Sequence, residues 1–142
     1  MKFKGLLAIF FLLWAVASFA QTEKKEELKV DPLNRTSPRS SITEFLKLAE
    51  KGNYAAAARY LDIQERSRST LGVTLARELQ LVMNDGFHSP LSLLSSASGG
   101  SEDDGLPLNK ESLGTITVSG ESVDLIMTHV TDPDEGEIWL VS

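Results

Sequence analysis

Between Asp31 and Ile63 the apolar positions recur with a helical period, and the two repeats are separated by one clear break. Ile42, Phe45, Leu46 and Ala49 fall at i, i+3, i+4 and i+7, which makes one buried stripe on a helix. Ser37-Pro38 precedes the stripe: Ser37 can cap the helix, and Pro38 loses nothing by lacking an N–H in the first turn. Gly52 suits the left-handed position that ends a helix, and Asn53 then caps a second one. Tyr54, Ala57, Ala58 and Leu61 repeat the spacing, and the alanines predict a close approach to a neighbour. The pattern predicts an antiparallel helix hairpin.

Ile63 to Ser69 reads as a polar connection, followed by a third helix from about Thr70 to Asp85. Its expected buried face is Leu71, Leu75, Leu79, Val82 and Met83, with Gly86 as the stop. Ser95 to Asp104, SSASGGSEDD, reads as an exposed, mobile loop. The period then changes from helical to alternating. Strands are predicted at Gly114–Val118, Val123–Thr131 and Ile138–Val141, joined by turns at Ser119-Gly120 and at Asp132 to Gly136. Helices first and strands second give an α+β domain, with the helices packed on a three-stranded antiparallel meander. One helix pair falls short of the three repeats that a solenoid needs.

Met1 to Ala20 stands apart from this pattern. Lys2 and Lys4 precede an apolar run from Leu6 to Val16, and Ser18-Phe19-Ala20 supplies small residues for cleavage. This is the layout of an export signal peptide. The run is shorter than the roughly 20 residues of a membrane span. Residues 21–30, rich in Glu and Lys, form a polar lead-in, and 31–142 form the single domain. The last strand is apolar and the sequence stops at Ser142, so the expectation is a domain truncated at its C-terminal end.

Composition narrows the function classes. The 142 residues carry a net charge of -6, or -8 once Lys2 and Lys4 are removed. Nucleic-acid binding needs a basic stripe, and none is present. There is no cysteine, which removes disulfides, thiol catalysis and thiolate metal sites. Export without disulfides points to a bacterial periplasm.

The candidate chemistry is sparse. Asp132, Asp134 and Glu135 resemble a calcium loop, but Gly136 falls one position early for an EF-hand and Pro133 breaks the frame. A solvated hairpin turn is the better reading. Glu102, Asp103 and Asp104 read as solvated loop charge. His88 and His129 lack partners at catalytic or zinc spacing, and there is no serine elbow or phosphate loop. Trp139, Tyr54 and Tyr60 read as core residues in preference to a ligand platform. Asp31, Arg35, Arg39, Tyr60 and Asp62 form a polar set flanking the hairpin, in which arginines paired with Asp31 or Asp62 would tie the lead-in onto the helices. No catalytic, cofactor or metal-binding residue is assigned.

The ordered motifs add one clue. Asp31-Pro32-Leu33, Arg35, Thr36-Ser37-Pro38-Arg39, Phe45, Gly52-Asn53-Tyr54, Ala57-Ala58 and Tyr60-Leu61-Asp62 follow in series. Leu75-Ala76-Arg77, Asp104-Gly105-Leu106-Pro107, Gly114-Thr115-Ile116 and Ile138-Trp139-Leu140 continue it. The succession resembles the N-terminal periplasmic domain of bacterial small-conductance mechanosensitive channel (MscS) family proteins. In that family, membrane helices, a Gly- and Ala-rich pore helix and a cytoplasmic β-rich domain follow. None lies within Asp31–Ser142, so no pore residue is assigned. The resemblance implies a non-catalytic accessory domain on the outer side of the inner membrane, partnered by the channel's membrane portion or by another periplasmic protein. Its contact with the membrane would run through that missing portion or through an uncleaved signal. The alternative is a free-standing NTF2-like module that binds a small ligand in a pocket between helices and sheet.

Overall fold

A computed structural model describes residues 30–142. The expected signal peptide and most of the lead-in lie outside the described residues. The described chain is α+β, with helices preceding a three-stranded antiparallel sheet of order β1-β2-β3.

Helix α1 spans Pro38–Glu50 and starts as its sequence predicts. The Ser37 hydroxyl accepts from the Ser40 N–H at 3.2 Å, and the Ser40 hydroxyl accepts from the Ser37 N–H at 3.2 Å, closing a reciprocal cap. Gly52 takes a φ of 71° just past the helix end, a conformation that costs other residues far more. Ile42, Phe45 and Ala49 are buried.

The second limb is shorter than predicted. Asn53 does cap it, accepting from the Ala56 N–H at 3.2 Å, but helix α2 covers only Tyr54–Ala57. It passes at once into a 3-10 turn at Ala58–Tyr60. Leu61 is then extended and forms a parallel bridge with Val141, while Asp62 donates its N–H to the Val141 carbonyl at 2.8 Å. Pairing with the sheet draws the backbone out of helical geometry, so a second helix of the expected length does not form.

The stretch predicted as a connection is helical. Helix α3, Glu65–Ser67, runs through a π-helical turn at Arg68–Gly72 into helix α4, Val73–Gly86. The buried face of α4 also differs from the prediction. Ala76, Gln80 and Met83 are buried, Leu75, Leu79 and Val82 are half-buried, and Leu71 is exposed. Small residues decide this rotation. A Cβ on Gly72 would sit 3.0 Å from the Ala58 Cβ and 2.7 Å from the Ile63 Cδ1. The close approach is made by glycine and alanine, and the bulkier leucines are turned to the margin.

The strands exceed their predicted lengths: β1 is Lys110–Val118, β2 is Glu121–Asp132 and β3 is Gly136–Val141. A bulge between Ser112 and Gly114 shifts the β1–β2 register, and Gly114 there takes a φ of 130°. Ser119 and Gly120 both have positive φ, as a type I′ hairpin requires. Leu113, Ile116, Leu125, Met127, Trp139 and Val141 supply the sheet's share of the core.

The outer edge of β3 is not left bare. The Trp139 N–H donates to the Arg35 carbonyl at 2.8 Å, and the Ser41 hydroxyl donates to the Trp139 carbonyl at 2.7 Å. Together with Leu61 and Asp62, these groups pair the edge that would otherwise template aggregation.

Replacing Gly72 with Val tests the packing of α4. The added side chain meets Ala58, whose Cβ is fixed to the backbone, so overpacking should cost about 1–3 kcal/mol. A lower urea midpoint is the expected reading, and an unchanged midpoint would contradict the close approach.

Candidate functional site

Two features invite a functional reading: a buried arginine joint and an open apolar groove. Arg35 is only 1% exposed. A buried guanidinium must find acceptors for its donors, because unpaired burial costs several kcal/mol. Arg35 finds them on three separate segments. Its Nη2 and Nε reach the two Asp31 carboxylate oxygens at 2.9 and 3.2 Å. Its Nη1 donates to the Arg59 carbonyl at 2.8 Å. Its Nη2 also pairs with Glu135, which leaves the β2–β3 turn to meet it. Glu135 accepts from Arg59 as well, at 2.7 Å. The guanidinium lies 5.9 Å from the centroid of the Tyr60 ring, and the Tyr60 hydroxyl donates to the Leu33 carbonyl at 2.8 Å.

Charge states in the joint follow from these contacts. Burial works against the Asp31 carboxylate. The Arg35 side chain, the Arg35 N–H and the Leu33 N–H outweigh that penalty and hold its pKa below the ordinary carboxylate value. Burial, and secondarily the nearby Glu44 charge, raise the Tyr60 phenol above its usual value, so it stays a donor.

The predicted Asp31–Arg35 pairing is therefore present, while Arg39 departs from expectation. Arg39 pairs with no carboxylate. It donates to the Leu94 carbonyl at 2.9 and 2.6 Å and to the Ser92 carbonyl at 2.7 Å, pinning α1 to the 3-10 turn at Leu91–Leu93. Asp62 is exposed and contributes its backbone N–H to the sheet edge.

A second buried charge, Glu111, is 2% exposed. Its carboxylate accepts from the Ser95 N–H at 2.7 Å and the Ser101 N–H at 2.8 Å. The Trp139 indole N–H donates to the Ser98 carbonyl at 2.8 Å. The serine-rich loop is thus tied onto the sheet at three points. The low-complexity pattern hides this, because its anchors lie on β1 and β3.

Apart from the Glu135 side chain, which joins Arg35 and Arg59, the acidic clusters make local contacts. Asp132 Oδ1 accepts the Asp134 and Glu135 N–H groups at 2.8 and 2.9 Å, a turn closed by its own side chain. Asp104 accepts from the Leu106 N–H at 2.9 Å and the Ser112 N–H at 3.3 Å, while Glu102 and Asp103 are exposed. Among the described residues, no group of three or more His, Asp or Glu side chains could hold a metal ion. His88 is exposed. His129 stacks on Trp139, with ring centroids 4.7 Å apart and 5° between planes, and its Nε2 lies 3.4 Å from Glu137. Tyr54 donates to Gln80 at 2.8 Å, with Arg77 5.1 Å from its ring centroid.

The groove lies between α4 and the sheet. Leu75, Leu79 and Val82 of α4 line it, together with Leu125 and Val141 of the sheet and with Leu61, Ile63 and Ser142. Its volume is about 280 Å³ and it is open to solvent. Asp62 and Glu78 are the charged residues in its lining.

No protein-family model, curated protein or solved structure matches this chain.

Two outcomes test the buried charges. Arg35→Ala leaves Asp31 buried without its cation and should cost about 3–5 kcal/mol in denaturant unfolding. Unfolded, Asp31 titrates near about 3.9, and folded it titrates lower. The pair's stabilisation is therefore complete above that value and is lost as pH falls through the folded pKa. Asp31→Asn should flatten this acid limb, and an unchanged limb would contradict it. For the loop, Glu111→Ala should expose residues 96–103 to limited proteolysis, with new fragments seen by mass spectrometry.

Proposed function

We propose that the chain is a non-catalytic accessory domain of the mechanosensitive channel kind, exported and working on the outer side of the bacterial inner membrane. The observation that carries this reading is the use made of the residues that bear the resemblance. Asp31, Arg35 and Tyr60 close the buried joint. Ser37, Pro38, Gly52 and Asn53 start, stop and restart helices. Ala57 and Ala58 are fully buried where the helices approach closely. These residues serve the architecture of this domain, which supports reading the resemblance as one of fold, and the channel context follows from the resemblance alone.

The chemistry is consistent with that role. Asp31, Arg35 and Glu111, the buried charged side chains among the described residues, direct their bonds at backbone groups and at ion-pair partners. None of them is paired with a nucleophile. No helix among the described residues is long and apolar enough to cross a membrane. Tethering would then depend on segments outside the described domain.

The groove gives a specific reason to keep the second reading, a free-standing small-ligand module. Its volume of about 280 Å³ falls just under the roughly 300–1,000 Å³ of enclosed ligand sites, and it is open to solvent. The accessory-domain reading is therefore preferred.

The test is to read the source genome beyond the Ser142 codon. The expected result is an open frame that encodes several apolar segments, each of roughly 20 residues. A stop codon there, followed by an unrelated gene, would overturn the channel reading.

A further inference from the structure

Exposed apolar residues also lie outside the lining of the groove. Leu71, in the π-helical turn that leads into α4, precedes the row of Leu75, Leu79 and Val82 by one turn and is 51% exposed. On the sheet, Val123 shares a face with Leu125 by strand alternation, and it is 44% exposed. Val118 lies two residues beyond the buried Ile116 on the neighbouring strand, again on this face, and is 40% exposed. These exposed apolar residues belong to the sheet that walls the groove, or to the turn that leads into α4, its other wall. Apolar grooves with polar rims mark interaction surfaces, whereas singly scattered apolar residues do not.

The rim identifies the partner's chemistry. Asp62 and Glu78 border the groove, both exposed. Glu121 shares the sheet face with Val123 and Leu125 at the hairpin end and is exposed too. No lysine or arginine lines the groove. A second copy of this acidic chain would bring carboxylates against carboxylates if the same face were used twice. A site that is open to solvent also suits side chains presented by a segment better than it suits an enclosed small molecule.

We propose that the α4–sheet groove docks an amphipathic helix of another protein, with apolar residues at i, i+3, i+4 and i+7 and lysines or arginines beside them. The apolar residues enter between Leu79 and Leu125, and the basic residues meet Asp62, Glu78 and Glu121. This proposal stands on the groove alone and does not depend on the channel reading.

The test is selection from a displayed library of random peptides, each about 18 residues long to permit helix formation, against the full chain. Selected peptides should be enriched in the helical apolar spacing with Lys or Arg alongside. Their affinity should fall as salt rises. The exposed-site variant Asp62→Lys/Glu78→Lys should weaken selected peptides by about tenfold or more and should itself select peptides with Asp or Glu in the basic positions. Three results would each overturn the proposal: no enriched pattern, enriched peptides indifferent to the double variant, or a dimer in sedimentation that the double variant changes. The last would assign the groove to a second copy.

Discussion

The fold depends on the requirement that the Arg35 guanidinium, once buried, be fully paired. Its donors can be satisfied only if the segment at Asp31, the carbonyl of Arg59 and the turn carrying Glu135 come together. The backbone of Arg35 completes the arrangement by accepting the Trp139 N–H. One residue therefore seats the entry segment along β3, places the 3-10 turn beside it and fixes the β2–β3 turn. Helix α1 begins at Pro38, three residues later, so its direction across the sheet is set by the same joint. Burying the ion pair adds little net stability by itself, since desolvation offsets much of the attraction. Its effect is selective, because arrangements that leave the guanidinium unpaired are penalised.

A second constraint comes from small side chains. Ala57, Ala58, Gly72 and Ala76 bring the short second limb against the π-helical turn and α4. With that contact on the inner side, the row from Leu71 to Val82 falls at the margin of the core. The open groove is a consequence of this rotation. The joint and the small-residue contact are linked through Arg59 and Tyr60, which belong to the same 3-10 turn as Ala58.

Local signals were readable where the physics is local. Ser37-Pro38, Gly52 and Asn53 act within a few residues of themselves and occupy the helix boundaries predicted for them. The strand order of the meander followed from short turns, and the Asp31–Arg35 pair lies only four residues apart. The failures share a cause in long-range partners. Periodicity alone continued the second helix, but Val141 recruits Leu61 and Asp62 from the far end of the chain. Hydrophobicity put Leu71 inside, whereas Gly72 and Ala76 take the inner positions because Ala58 lies so close. Glu135 looked like solvated turn charge, and nothing near it in sequence points to an arginine 100 residues away. The same holds for Glu111, whose partners sit in a loop that composition presents as featureless.

The most direct test of the joint is amide hydrogen exchange on Arg35→Lys. Lysine keeps the charge but loses the planar fork that reaches several acceptors at once. The account predicts that the Trp139 and Asp62 amides lose protection together, while the amides in the middle of α1 keep theirs. Full protection at Trp139 and Asp62 in the variant would contradict it.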